Sequence, residues 1–186
     1  GAFNVHRNVY ITLFLRKCMT KEKSESLPQA SGVLRHEGIF DHEALYKATS
    51  AWAEDYGYHK MERDMTRKYA PDGGEYKIKW LLVRNADDYV RYEVAVEIWV
   101  WKGIEVTVEE QGKKVKRTKG TVDVIMKSKL IKNYEKDFGP TRWPQFIRQI
   151  TERFFRKQLL EDHEKKLYRE FLDLQNRYKE ILNYPT

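Results

Sequence analysis

The sequence predicts an α+β protein in which an antiparallel sheet of about five to six strands packs against one long C-terminal helix. Two observations lead to this prediction. Segments with alternating apolar and polar residues follow one another between residues 58 and 131, separated by the turn sequences PDGG and NADD, as in antiparallel hairpins. From Gln145 to Tyr184 the chain then contains no Gly or Pro, and a leucine or isoleucine recurs every seven residues from Leu160, as in an amphipathic helix.

The first 32 residues are predicted to lie outside this domain. Residues 1–18 contain the apolar run VYITLFL, which is shorter than the roughly 18 residues of a membrane span and which we interpret as a buried helix or strand. Residues 19–32, MTKEKSESLPQASG, are polar and contain Ser, Pro and Gly, so they are predicted to form a linker. The main domain is therefore expected to span residues 33–186.

The first two elements of the domain are a strand at residues 33–40 and a helix at residues 42–56. Asp41 is a good N-cap, because its carboxylate can accept a hydrogen bond from a free backbone N–H of the first turn. Gly57 follows the last apolar residue of the helical pattern, where a glycine accommodates the left-handed backbone that ends many helices.

The strands that follow are predicted at residues 58–69, 75–84, 89–101 and, after a bend at Lys102 and Gly103, at 104–110 and 113–131. The stretch EVAVEIWVWKG, residues 93–103, has two different faces because strand side chains alternate. One face is wholly apolar, formed by Val94, Val96, Ile98 and Val100. The other carries glutamates and then Trp99 and Trp101. The apolar face is expected to be core, which places both tryptophans on the outer face, where they could also pack on a second subunit or on the N-terminal segment. With the faces reversed, they would line a ligand cavity.

The last helix is predicted at about residues 141–183, with Thr141 as its N-cap. About 43 helical residues at 1.5 Å each span roughly 64 Å, whereas a 13-residue strand at about 3.3 Å each spans roughly 43 Å. The helix is therefore expected to overhang the sheet while keeping its apolar stripe. The stripe could be buried by the apolar run of residues 1–18, by a second copy through residues 160–182, or by a membrane surface.

The positive charge of the chain is concentrated in one segment. Residues 113–132 hold eight Lys and Arg and one Asp, a local charge of +7 that equals the net charge of the whole chain. Such a segment attracts phosphates or acidic lipid headgroups. A solvated hairpin that keeps the protein soluble explains the same charge, and the sequence leaves both interpretations open.

Several function classes are not favoured by the sequence. The single cysteine, Cys18, excludes an intrachain disulfide and suits a reducing compartment, so a cytoplasmic protein is expected. The chain shows no phosphate-binding loop, dinucleotide fingerprint, zinc-ligand spacing or nucleophile motif. We therefore expect no metal and no cofactor, name no catalytic residue, and favour a non-enzymatic role.

The order strand, helix, antiparallel strands and long last helix, over about residues 33–160, resembles the helix-grip superfamily of START-like and birch-pollen-allergen-like proteins. The resemblance rests on this order alone, and a cystatin-like or other α+β fold stays open. It implies a curved sheet that grips the last helix, with a cavity for an apolar small molecule or lipid between them. The residues that would line such a cavity are Trp80, Ile98, Val124, Met126, Phe146, Ile150 and Phe154; a solid core without a cavity is the alternative.

Two further function classes remain. The basic segment predicts nucleic-acid or ribosome binding, with base stacking on exposed tryptophans. The residues concerned are Lys113, Lys114, Lys116, Arg117, Lys119, Lys127 and Lys129, together with Trp99 and Trp101; Arg148, Arg153 and Arg156 would extend the patch. The long helix predicts a protein interaction, including a homodimer through residues 160–182.

Overall fold

The computed structural model describes residues 24–71, 73–87, 89–132 and 145–184, and the side chains of the last helix from Lys157 onward. The elements are β1 (Glu25–Phe40), α1 (His42–Asp55), β2 (His59–Lys68), β3 (Gly74–Asn85), β4 (Val90–Glu110), β5 (Lys113–Lys132) and α2 (Gln145–Ile181). The predictions for residues 1–18 and for the Thr141 cap lie outside the described residues.

The α+β architecture is confirmed, with five strands in the order β1-β5-β4-β3-β2. All neighbouring strands are antiparallel, and the first strand pairs with the last along its whole length, from Glu25 opposite Lys132 to Phe40 opposite Thr118. The longest pair, β4 with β5, occupies the middle of the sheet and continues beyond it as a two-stranded ribbon.

The first strand corrects the predicted linker. It begins at Glu25 and not at residue 33, so the second half of the segment 19–32 belongs to the sheet. Pro28 is tolerated because β1 is an edge strand and because a bulge interrupts the pairing between Pro28 and Ala30. Pairing with a distant strand thus overrides a local composition typical of a loop.

Both ends of α1 agree with the sequence prediction. The carboxylate of Asp41 accepts a hydrogen bond from the Ala44 backbone at 2.9 Å. At the other end Gly57 has a φ of 70°. The backbone N–H groups of Gly57 and Tyr58 donate to earlier carbonyls, which is the pattern of a Schellman motif. The chain therefore leaves the helix abruptly and enters β2.

The two predicted faces of β4 are also confirmed. Val94, Val96 and their inward-facing neighbours are at most 1% exposed, whereas Trp99 and Trp101 lie on the other face and stay partly exposed. The predicted bend is a bulge, since the pairing moves from Trp101 opposite Thr121 to Ile104 opposite Lys119. Gly120 lies against this bulge, where an added Cβ would come within 2.7 Å of the Trp101 carbonyl.

Both helices pack on the face of the sheet that carries the buried valines. In α2 the buried side chains recur at helical spacing and are at most 2% exposed: Leu167, Phe171, Leu174, Tyr178 and Leu182. These five side chains are therefore covered within the chain and form no open stripe, and the homodimer through residues 160–182 stays a prediction. Apolar residues also recur between Phe146 and Phe154, so their spacing could not show which half of the helix meets the sheet.

His163 marks where α2 meets the end of the sheet. His163 hydrogen-bonds to Tyr92 and to Asp87, which is in the turn between β3 and β4 at the end of the sheet. The helix begins at Gln145, about 18 residues or roughly 27 Å before this contact. Neither of the described helices is long and apolar enough to cross a membrane.

The buried residue Glu170 connects α2 to α1, to β3 and to Tyr58, which directly precedes β2. Glu170 is 4% exposed, and its carboxylate accepts two hydrogen bonds from Arg84 Nη2 at 2.7 and 2.9 Å and one from the Tyr58 hydroxyl at 2.7 Å. Its backbone carbonyl accepts a hydrogen bond from Trp52 Nε1 at 3.0 Å. Burial, followed by the charge of Glu170, raises the pKa of Tyr58, so its hydroxyl stays a donor at neutral pH.

Replacing this carboxylate is expected to destabilise the protein. Glu170→Ala leaves Arg84, whose side chain is only 17% exposed, without its charge partner. Removing one partner of a buried ion pair costs about 3–5 kcal/mol, and we expect about 3 because Arg84 retains contact with water. Urea denaturation measures the loss. Glu161→Ala, an exposed position on the same helix, is the control and should change stability by no more than about 0.5 kcal/mol. Equal values for the two variants would contradict a stabilising role of the cluster.

Candidate functional site

The outer face of the sheet is the face opposite the two helices, and no described element covers it. Along its middle, one side chain from each strand falls in a single row because the strands pair in register. The row is formed by Arg35, Asp123, Trp99, Lys77 and Thr66. Aromatic, cationic and anionic groups from all five strands thus meet on one surface.

Trp99 and Trp101 form an aromatic pair on this face. Their ring centroids are 5.4 Å apart with an angle of 57° between the planes. Trp99 Nε1 donates to Glu97 Oε2 at 3.1 Å, and Trp101 Nε1 donates to Asp123 Oδ2 at 3.3 Å. Because each indole is held by a carboxylate at its polar edge, the orientation of both rings is fixed before any ligand arrives.

Asp123 is held in turn by Arg35. Two hydrogen bonds, from Arg35 Nε at 2.6 Å and Nη2 at 2.7 Å, reach the two carboxylate oxygens. The hydrogen bond from Arg35 lowers the pKa of Asp123 and outweighs the opposing effect of burial. Asp123 is therefore ionised at neutral pH even though it is only 6% exposed.

Lysines of β3 complete the arrangement on the other side of the tryptophans. Lys77 Nζ lies 3.9 Å from the ring centroid of Trp99, a cation–π contact. Lys79 pairs with Glu97 at 3.3 Å, so the carboxylate that holds Trp99 is itself neutralised.

A groove of about 200 Å³ lies beside the tryptophans, at the side of β2 and β3. Its outer-face lining is formed by Thr66, Lys68, Glu75, Lys77, Trp99 and Trp101. Within the part of the chain that the structure describes, Lys68 and Lys77 make no ion pair. The groove therefore offers two aromatic surfaces, two ammonium groups and one carboxylate, which suit a planar ligand with negative charge.

The cavity residues predicted from the helix-grip resemblance lie in the core. Trp80, Ile98, Val124 and Met126 are on the inner face and are at most 1% exposed. A side chain that bordered a space large enough for water would keep accessible surface, so these four are packed against protein atoms. Phe146, Ile150 and Phe154 lie outside the described side chains, and their role stays a prediction.

Four of the eight cations in the basic segment are paired with neighbouring carboxylates. On the ribbon Lys116 pairs with Glu105 at 2.6 Å, and Arg117 pairs with both Glu110 and Asp41. In the sheet two further pairs join Lys129 to Glu93 at 2.9 Å and Lys132 to Glu25 at 3.0 Å. The members that make no ion pair with another described residue are Lys113, Lys114, Lys119 and Lys127. Arg148, Arg153 and Arg156 lie outside the described side chains.

Sequence reasoning found the tryptophans but missed Lys68, Glu75 and Lys77. Because side chains alternate along β3, Lys77 lies on the other face of the sheet from Ile78, and the sequence alone could have predicted this. What the sequence could not show is that Lys77 lies directly opposite Trp99, because the register between two strands depends on pairing along their whole length.

No model of a protein family matches this chain, and no curated protein matches it either. The described residues also contain no cluster of three or more His, Cys, Asp or Glu side chains that could hold a metal ion. The function is therefore argued from the groove itself.

The Arg35–Asp123 pair predicts a specific dependence of stability on acid. Because the pKa of Asp123 is lowered from its usual 3.8, its ionised form stabilises the folded protein above that value, and this contribution is lost as pH falls through the lowered pKa. We expect the free energy of unfolding to fall more steeply below about pH 4 in the natural protein than in Asp123→Asn. Urea titrations at a series of pH values measure this.

Glu37→Gln is the matched control, since Glu37 is exposed on the adjacent edge strand β1. Within the described residues Glu37 makes no ion pair, so its variant should follow the natural protein. The assignment fails if the acid dependence of Asp123→Asn runs parallel to that of the natural protein.

Proposed function

We propose that the groove on the outer face binds, without chemical conversion, an anionic ligand that carries a planar ring, such as a base with its phosphate. The observation that carries this proposal is that two indoles and two ammonium groups line one groove. Base–aromatic stacking contributes roughly 1–3 kcal/mol per base. Lysine supplies a flexible point charge for phosphate.

Because of the position of Lys77, we assign different roles to the two tryptophans. Its ammonium group lies over the Trp99 ring, so the neighbouring ring of Trp101 is the surface left for a planar ligand. Trp101 is also fixed by Asp123, so it loses little conformational freedom when a ligand stacks on it. Trp99 then serves to hold Lys77 close to the bound ring.

The charges around the groove set the direction in which an anionic ligand lies. Glu97 and Asp123 occupy the polar edges of the two indoles, and both are engaged by other side chains. Lys68 and Lys77 lie on the side of β2 and β3. A phosphate is therefore attracted toward Lys68 and Lys77, which make no ion pair with another described residue, more than toward the paired Asp123, and this leaves the planar ring over Trp101.

The outer groove is favoured over a cavity between sheet and helix because of how the inner face is packed. Four of the seven predicted cavity residues show no space beside them, whereas the outer groove is open and aromatic. Binding of an apolar ligand inside the domain, and the helix-grip resemblance that suggested it, stay predictions.

The proposal predicts that removing a positive charge from the groove weakens ligand binding and that removing a negative charge strengthens it. Lys77→Gln and Lys68→Gln should each weaken the binding of a nucleoside monophosphate by about threefold to tenfold, because a charged contact to phosphate is lost. Glu75→Gln should strengthen binding, because it removes a carboxylate from the same lining. Isothermal titration calorimetry with adenosine monophosphate measures all three.

Lys166→Gln is the control for these variants, since it removes the same charge from an exposed position of α2. It should leave the affinity within about twofold of the natural protein. Adenosine and inorganic phosphate, titrated separately, should each bind more weakly than the monophosphate. The proposal is overturned if the monophosphate does not bind, or if Lys77→Gln behaves like Lys166→Gln.

A further inference from the structure

We infer that the ligand of this groove is a single-stranded nucleic acid that continues from Trp101 onto the projecting ribbon of β4 and β5. The inference rests on the proposed function of the groove and adds the class of ligand and its path. The evidence for it is the position of the lysines that make no ion pair with a carboxylate of a described residue.

The ribbon projects from the sheet directly beside the groove. Pairing between β3 and β4 ends at Gly74 opposite Gly103, and pairing between β1 and β5 ends at Phe40 opposite Thr118. The β4–β5 pair continues alone from Val106 opposite Arg117 to Glu110 opposite Lys113. Its length at about 3.3 Å for each residue is roughly 17 Å.

The bulge at the base of the ribbon brings further cations next to Trp101. Lys102 follows Trp101 directly, is exposed, and has a φ of 52° that turns the strand at this point. Lys119 lies opposite Ile104, the first paired residue after the bulge, and is also exposed. These two lysines connect the groove to the ribbon.

The ionic pairs of the ribbon separate its cations into two groups. Lys116 and Arg117 are paired with carboxylates of the ribbon. Arg117 also pairs with Asp41, the N-cap residue of α1, which joins the ribbon to the body of the domain. Among the cations of the groove, the bulge and the ribbon, six make no ion pair with another described residue: Lys68, Lys77, Lys102, Lys119, Lys114 and Lys113.

A track of this length points to a polymer with repeated phosphates. One nucleotide that stacks on Trp101 can reach the lysines of the groove but not those at the end of a ribbon that extends roughly 17 Å beyond the sheet. Stacking on a tryptophan also requires a base whose face is free, which a single strand offers and a base-paired duplex does not. A single strand therefore fits both the aromatic groove and the lysine track.

The test compares ligands and variants in one titration series. The ligands are adenosine monophosphate, a single-stranded 12-nucleotide RNA of mixed sequence, the matching RNA duplex, and vesicles that contain anionic phospholipid. The protein variants are the tip double variant Lys113→Gln/Lys114→Gln and the control double variant Lys165→Gln/Lys166→Gln, which removes two exposed charges from α2. Fluorescence anisotropy at several salt concentrations reports oligonucleotide affinity, and calorimetry reports monophosphate affinity.

We expect the single strand to bind at least tenfold more tightly than the monophosphate and than the duplex. The tip variant should weaken single-strand binding and lower its logarithmic salt slope by about 0.7, because alternation along β5 places Lys113, and not Lys114, on the face of Lys119 and Trp101. It should leave monophosphate binding unchanged. The control variant should leave both the affinity and the slope unchanged within about twofold.

The outcomes separate this inference from the proposed function. If the monophosphate binds but the single strand binds no more tightly, or if the tip variant equals the control, the polymer track is wrong and the groove proposal stands. If the vesicles or the duplex bind more tightly than the single strand, the polymer track is also wrong. If none of the nucleotides binds, both are wrong.

Discussion

The pairing of β4 with β5 is the constraint on which the rest of the structure depends. Its register runs from Val90 opposite Lys132 to Glu110 opposite Lys113, with one interruption at the bulge. Because strand side chains alternate, this register decides at once which residues enter the core and which lie outside. It also sets Trp99 opposite Asp123, so the outer row forms as soon as β1 and β3 pair on either side.

The inner and outer faces of the sheet differ in how far they are covered by other parts of the chain. On the inner face, side chains of both helices cover the valines, and Glu170 joins α2 to Arg84, Tyr58 and Trp52 through short hydrogen bonds. Among the described residues, this packing covers the valines of the inner face. The indoles and lysines of the outer face stay partly exposed, which is why we propose the ligand site there.

Local signals predicted those parts of the structure that local geometry determines. The Asp41 cap, the Gly57 stop, the two faces of β4 and the bulge at Lys102 each depend on a few neighbouring residues, and all were found. The start of β1, the half of α2 that meets the sheet, and the contact of Lys77 with Trp99 depend on residues far apart in sequence. No repeat or propensity within one segment contains that information.

Net charge illustrates the same difference between a pattern in sequence and an arrangement in space. Along the chain, residues 113–132 carry a charge of +7 and look like one uniform basic patch. In the fold, cross-strand carboxylates engage Lys116, Arg117, Lys129 and Lys132, which are four of the eight basic residues in this segment. Surface pairs of this kind add little stability, but they cancel the local field that would attract a phosphate. The field that remains comes from lysines without ion pairs among the described residues, and two of these, Lys68 and Lys77, share a groove with two tryptophans.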